Sequence, residues 1–153
     1  MTDANPPPPP PPEGVLLKAR FDALRNGDRA VLRRVAQLAD IPHLPAYYRW
    51  LGGRRPHPGL QRVALLLPHA GHRAAAASLG QQLRLQGIHE DRVVRLVRTH
   101  GDEGLHALRR LLIHAELRLD WGTFAPVLLF WGEAVKRRIL QDFFTTPPRR
   151  AAA

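Results

Sequence analysis

Cysteine is absent from this chain of 153 residues, which excludes disulfides, thiolate chemistry and cysteine-ligated zinc. Long apolar runs are absent too. The longest, residues 63–67 and 127–131, fall far short of the roughly 20 residues that span a bilayer. The N-terminus carries Asp3 and a run of prolines where a secretory signal has basic residues and then an apolar helix. These features point to a cytoplasmic protein that does not enter a membrane. Period-two alternation of useful length is also missing, so strands are not expected. So are the signatures of common catalysts: no Gly-x-Ser-x-Gly, no Gly-rich phosphate loop ending in Lys and Ser or Thr, and no His-Glu-x-x-His occurs. Their absence argues against an enzyme, and no catalytic residue, metal or cofactor is assigned.

Acidic residues are scarce and unevenly placed. Thirteen face 23 basic residues, for a net charge of +10. None lies between Asp40 and Glu90, a span that holds Arg49, Arg54, Arg55, Arg62, Arg73 and Arg84. Lysine is nearly missing as well, since Lys18 and Lys136 are the only two and the other 21 cations are arginine. An unbalanced basic stretch of this length attracts a polyanion, with nucleic acid and an anionic membrane surface as the two classes that fit. Charge kept for solubility is the plain alternative. Arginine adds a planar fork of donors, always charged and matched to phosphate.

Helical spacing dominates from Gly14 onward. Residues 6–12 are consecutive prolines and define an extended arm, residues 1–13, expected to be disordered or polyproline II. A first helix over 15–24 stops at Asn26-Gly27. Asp28 then caps a second, with Val31, Val35 and Leu38 as its apolar stripe and Arg33 and Arg34 on other sides. Pro45 starts a third through Leu51, and 60–67 forms a fourth. The alanine-rich stretch 71–77 reads as a helix or a tether and marks a lobe boundary. Beyond it, Ser78 caps a short helix through Leu83, and 90–98 forms another, with Arg92, Arg95 and Arg98 along one arc. Asp102 opens a helix in which Leu105, Leu108, Leu112, Ala115 and Leu119 keep a 3-4 spacing, with Arg109 and Arg110 outside the stripe. The last helix runs from about Pro126 to Phe144, with Leu128, Trp131, Val135, Ile139 and Phe143 inward and Arg137 opposite. The expectation is an all-α protein of two small helical lobes, 14–73 and 78–146, the second a helical bundle, with a disordered tail at 147–153.

Histidine is the remaining metal or acid–base resource. His69 and His72 stand three apart, but Gly71 intervenes and no carboxylate is near in sequence, so a metal site is not assigned. His106 and His114, on the arginine helix, read as phosphate contacts or packing beside the core. Glu90-Asp91 and Asp102-Glu103 sit at helix starts, where the dipole favours negative charge. Tyr47, Tyr48 and Trp50, near Arg49, Arg54 and Arg55, have the makings of a base-stacking platform, yet core packing is the commoner fate of aromatics at this spacing. Burial of Tyr48, Trp50 or both is expected, and of Trp121 and Trp131.

In chain order, Ile41-Pro42, Pro45-Ala46-Tyr47-Tyr48-Arg49, Ser78-Leu79-Gly80, the basic helix 92–98, Leu108-Arg109-Arg110-Leu111-Leu112-Ile113-His114-Ala115-Glu116, Asp120-Trp121, Trp131-Gly132 and Asp142-Phe143-Phe144 form a set that resembles the CasB family, the small subunit of the type I-E CRISPR Cascade surveillance complex. The resemblance covers residues 15–146 and is strongest from Ser78 onward. It implies a two-lobed, non-catalytic subunit that sits against the backbone and large subunits of a guide-RNA complex, with a second copy beside it. Its basic faces hold the single-stranded DNA of the R-loop. On that resemblance the phosphate contacts fall to Arg110 with Arg109 beside it, to Arg33 and Arg34, and to Arg98. The turn Gly101-Asp102-Glu103 and the start of Glu133-Ala134 depart from the family's basic pattern, and Lys136 and Arg137 compensate one turn on. Arg54, Arg55 and Arg62 are added on charge alone. The rival readings are an independent helical DNA-binding regulator and a purely architectural subunit.

Overall fold

A computed structural model describes residues 6–149. Within them the chain is helical almost throughout: α1 (Glu13–Asp22), α2 (Asn26–Arg34), α3 (Pro45–Leu51), α4 (Pro58–Leu66), α5 (Leu79–Leu85), α6 (Glu90–Arg98), α7 (Asp102–Ala115), α8 (Trp121–Leu129) and α9 (Glu133–Thr145). Two 3-10 segments, Leu38–His43 and Leu67–His69, follow α2 and α4. The all-α expectation holds. The one departure among the described residues is a two-residue parallel pair, β1 (Gly71–His72) and β2 (Arg118–Leu119), which ties the two halves of the chain together. Thus 71–77 is a tether with a strand at its start, not a helix.

The buried apolar side chains form one cluster, running from Leu17 and Phe21 through Trp50, residues 63–67, Leu83, Leu108 and Trp121 to Ile139 and Phe143. It continues across the 73–78 segment. Helix α8 packs on α1 and α4, whereas α9 packs on α5 and α6. Buried tryptophans need a partner for the indole N–H: Trp50 Nε1 donates to Leu17 O at 2.9 Å and Trp121 Nε1 to Ala70 O at 3.1 Å. Trp131 is only partly buried and Tyr48 is 47% exposed, while Tyr47 and Trp50 are fully enclosed.

Four local expectations change. The last helix is two helices, because Asp120 Oδ1 accepts from Gly122 N at 2.9 Å and starts α8 five residues before Pro126. Pro126 therefore lies inside α8, and the chain breaks at 130–132 before α9. Asp28 does not cap α2, which begins at Asn26; its carboxylate meets Arg49 Nε at 3.2 Å instead. Val31 is exposed and Leu32 takes the buried position, while Val35 and Leu38 are buried beyond the helix end. Leu119 belongs to β2 because α7 stops at Glu116, whose φ of 51° is left-handed. Ser78 does cap α5, in a reciprocal box with Gln81.

The last carbonyls of a helix lack intrahelical donors and must find others. Cations from elsewhere in the chain supply many of them here, with the favourable sign for the helix dipole. Arg29 Nη1 reaches Asp22 O at the end of α1, and Arg20 Nε reaches Trp50 O at 2.8 Å at the end of α3. Lys18 Nζ takes Leu67 O after α4, and Arg84 Nε takes Thr146 O after α9. Helices α5 and α7, which end instead on left-handed residues at Gly87 and Glu116, draw no such cation among the described residues.

Helices α5 and α9 cross closely enough that a Cβ on Gly80 would lie 2.4 Å from Ile139 O. Gly80→Ala therefore forces the helices apart and lowers the urea-unfolding free energy by roughly 1–3 kcal/mol; an unchanged midpoint contradicts this packing.

Candidate nucleic-acid interface

The ten candidate cations divide into two groups. Arg33, Arg34, Arg55, Arg98, Arg110 and Arg137 are exposed and have no hydrogen-bond or ionic partner for their side chains among the described residues. Arg54, Arg62, Arg109 and Lys136 are committed inside the molecule. Expecting a free charge at those four positions is corrected by what each one holds.

Arg109 Nη1 donates to Val35 O at 2.6 Å and Nη2 to Ala36 O at 3.0 Å, so its fork closes the end of α2. Arg62 Nε and Nη2 donate to Leu128 O and Leu129 O at 2.6 and 2.8 Å, closing α8. Lys136, only 6% exposed, donates from Nζ to Thr99 O at 3.1 Å, closing α6, and lies over the Trp131 ring. Arg54 pairs with Glu13 at 2.6 Å and reaches Leu51 O at the end of α3. Burial lowers the pKa of Arg62 and of Arg109, the latter with a second contribution from Arg110. Both remain cations because a guanidinium is so basic.

Three of the free arginines, Arg55, Arg110 and Arg137, follow a tied cation in sequence, and the ties also bear on Arg33, Arg34 and Arg98. Arg109 joins the middle of α7, where Arg110 follows it, to the residues just past α2, whose last turn carries Arg33 and Arg34. Lys136 joins the start of α9 to the end of α6, so Arg137 and Arg98 flank that contact. Arg55 follows Arg54 in the turn after α3. Two further arginines of α6, Arg92 and Arg95, are exposed along the same arc as Arg98, and their three-residue spacing was the signal for them. The exposed Arg73 and Arg118 are brought close by the β1–β2 pairing, which no alternation in the sequence signals.

The imidazoles sit beside this frame. His106, 5% exposed, accepts at Nε2 from Leu38 N at 3.4 Å, with Arg109 Nη2 a similar distance from Nδ1. Burial first, then Arg109, holds its pKa down. His69 is pushed down to about 4, by burial and then by Arg109 and Arg33. Its Nε2 has no partner among the described residues. His72 accepts from Trp121 N at 3.1 Å, and His114 is exposed. No three metal-ligating side chains cluster among the described residues, and no helix there is long and apolar enough to cross a membrane.

Fold and site together define a small basic helical protein whose spare guanidinium groups are held at helix ends and on helix faces. The chain belongs to the CRISPR-associated protein Cse2 family, which residues 28–144 match. It is 31% identical over 155 aligned residues, 91% of this chain and 97% of the relative, to the CRISPR system Cascade subunit CasB of Escherichia coli strain K12. Its fold is similar to a chain in the crystal structure of E. coli Cascade bound to a PAM-containing double-stranded DNA target. That match has a TM-score of 0.82 and 32% identity, over 90% of this chain and 97% of the other.

Tied and free cations respond differently to removal. Arg109→Ala leaves carbonyls without donors and lowers stability by roughly 1–3 kcal/mol, whereas Arg110→Ala stays within about 0.5 kcal/mol; equal effects in urea melts contradict the division. A histidine whose folded pKa is depressed binds fewer protons folded than unfolded, so stability rises with pH across the gap. For His69 the contribution is full above about pH 6.5 and is lost as pH falls towards about 4. The urea midpoint should fall through that window and do so less in His69→Gln; an identical pH profile for the variant contradicts the assignment.

Proposed function

We propose that this protein is the small subunit of a Cascade complex and that its free arginines hold DNA strands opened by a guide RNA. The observation that carries this reading is that Arg33, Arg34 and Arg110 are exposed and unpaired with any carboxylate among the described residues, on two helices, α2 and α7, that the Arg109 bonds to Val35 O and Ala36 O join. Support comes from family membership and from the relative that is a Cascade subunit. Further support is the matching chain from a complex bound to double-stranded DNA.

The physical task suits the surface. Exchanging a DNA duplex for an RNA–DNA hybrid is nearly balanced in energy, so added contacts to backbone phosphates tip it. Base pairing reads the sequence, and the subunit needs only charge in the right places. Arg98 and Arg137, with Arg55, extend the same role to other parts of the surface. The subunit performs no catalysis of its own, works in the cytoplasm, and contacts the backbone and large subunits and a second copy of itself. The 14–73 and 78–146 portions act as its two lobes.

A purely architectural role is the second reading, favoured by the number of cations spent on helix ends. Single-stranded DNA binding to the complex assembled with and without this subunit separates the two. On our reading Arg110→Ala leaves assembly intact, weakens binding about equally for unrelated sequences, and reduces the log–log salt slope by roughly 0.7. Unchanged affinity supports the architectural reading instead, and altered base preference refutes both.

A further inference from the structure

Arginines on two different helices are useful to one run of phosphates only if their spacing is fixed, and α2 has little of its own to fix it. The helix is nine residues long and ends at Val35 in an extended conformation, with no left-handed stop and no side-chain cap at its start. The two carbonyls just past its end, Val35 O at the cap and Ala36 O after it, are held from outside by the fork of Arg109. A second tie comes from the same face of α7, where His106 Nε2 accepts from Leu38 N. The groups so gathered repel one another: Arg33 and Arg109 both act on His69, and Arg110 acts on Arg109 and His106. Glu103 and Asp102 act on His106 with the opposite sign, but none of Arg33, Arg109 and Arg110 has a carboxylate as an ion-pair partner among the described residues, and the Arg109 grip opposes their separation.

We infer that Arg109 is a positioning residue for the DNA-binding surface: by gripping the end of α2 it keeps Arg33 and Arg34 at a set distance from Arg110, so that the three guanidinium groups engage phosphate as a unit. The inference rests on the strand-holding reading above. It assigns Arg109 no contact with DNA of its own. A guanidinium suits the task because its parallel donors take two successive carbonyls, where an ammonium is a single point. Arg110 follows on the next position, about 100° around α7, and so leaves the grip free.

The absence of cysteine allows the geometry and the binding to be read on one protein. Val31 and His114 are exposed on α2 and α7, and V31C/H114C carries a spin label at each for an electron–electron distance measurement on the full chain. The same full chain is titrated with a single-stranded oligonucleotide at several salt concentrations. In the parent the distance distribution is narrow and the salt slope is steep. In Arg109→Gln the distribution broadens and the slope falls by roughly 1.4, the equivalent of two phosphate contacts, although Arg33, Arg34 and Arg110 are all present.

Arg109→Lys keeps the charge and loses the fork, and it too broadens the distribution and lowers the slope, to a smaller extent. A broadened distribution with an unchanged slope overturns the inference, because position then does not matter to binding. A lowered slope with an unchanged distribution also overturns it, because Arg109 then acts as a charge. Should Arg109→Gln fail to fold, the same pair of measurements on Arg109→Lys decides. Failure of the parent to bind the oligonucleotide refutes the strand-holding reading itself and is distinct from either outcome.

Discussion

The structure depends on closing the C-terminal ends of short helices. Helices of seven to fourteen residues expose a large share of their carbonyl groups for their length, and burying those ends without donors is costly. Two solutions are used here. Helices α5 and α7 turn into left-handed residues, at Gly87 and Glu116, and α3, which turns into left-handed Gly52, uses both solutions. The ends of α1, α2, α3, α4, α6, α8 and α9 receive a lysine or arginine from another part of the chain. Apart from the Arg29–Asp22 bond, which spans seven residues, these bonds are long-range in sequence, so they do more than satisfy carbonyls. They fix which helix end lies against which helix face, a role that apolar contact alone fills less specifically.

This changes the meaning of the net charge. A balance of +10 suggests a uniformly basic surface, yet a substantial part of the positive charge is internal and has a carbonyl as its partner. What remains for a ligand is a smaller set of guanidinium groups, three of them beside a cation that is committed. Arg110 follows Arg109, Arg137 follows Lys136, and Arg55 follows Arg54. The committed member sets the frame and the free member faces outward. A membrane surface would be served by any diffuse positive charge, whereas fixed spacing along helices matches a polymer with a regular phosphate repeat.

The helical class was legible because the apolar spacing in α7, the stop at Asn26-Gly27 and the cap at Ser78 agree with one another. The break between α8 and α9 was not, since Pro126 reads locally as a helix start and only Asp120, through its bond to Gly122 N, reveals the true one. Of the site, Arg33, Arg34, Arg98 and Arg110 were found by family resemblance and are exposed as expected. The commitments of Arg62, Arg109 and Lys136 could not be read, because each depends on a carbonyl 37 to 74 residues away. Sequence spacing shows which side of a helix a cation occupies. It does not show whether another helix ends there.

The central claim is that the basic residues divide into those that close helix ends and those that meet a strand. The arginine Nε–Hε region of a 15N-correlated NMR spectrum tests it most directly, recorded with and without a single-stranded oligonucleotide. The account predicts slowly exchanging signals for Arg20 and Arg62 that do not move on addition, and fast-exchanging signals for Arg33, Arg34 and Arg110 that shift and sharpen. Movement of the Arg20 and Arg62 signals, with Arg33, Arg34 and Arg110 unaffected, would contradict it.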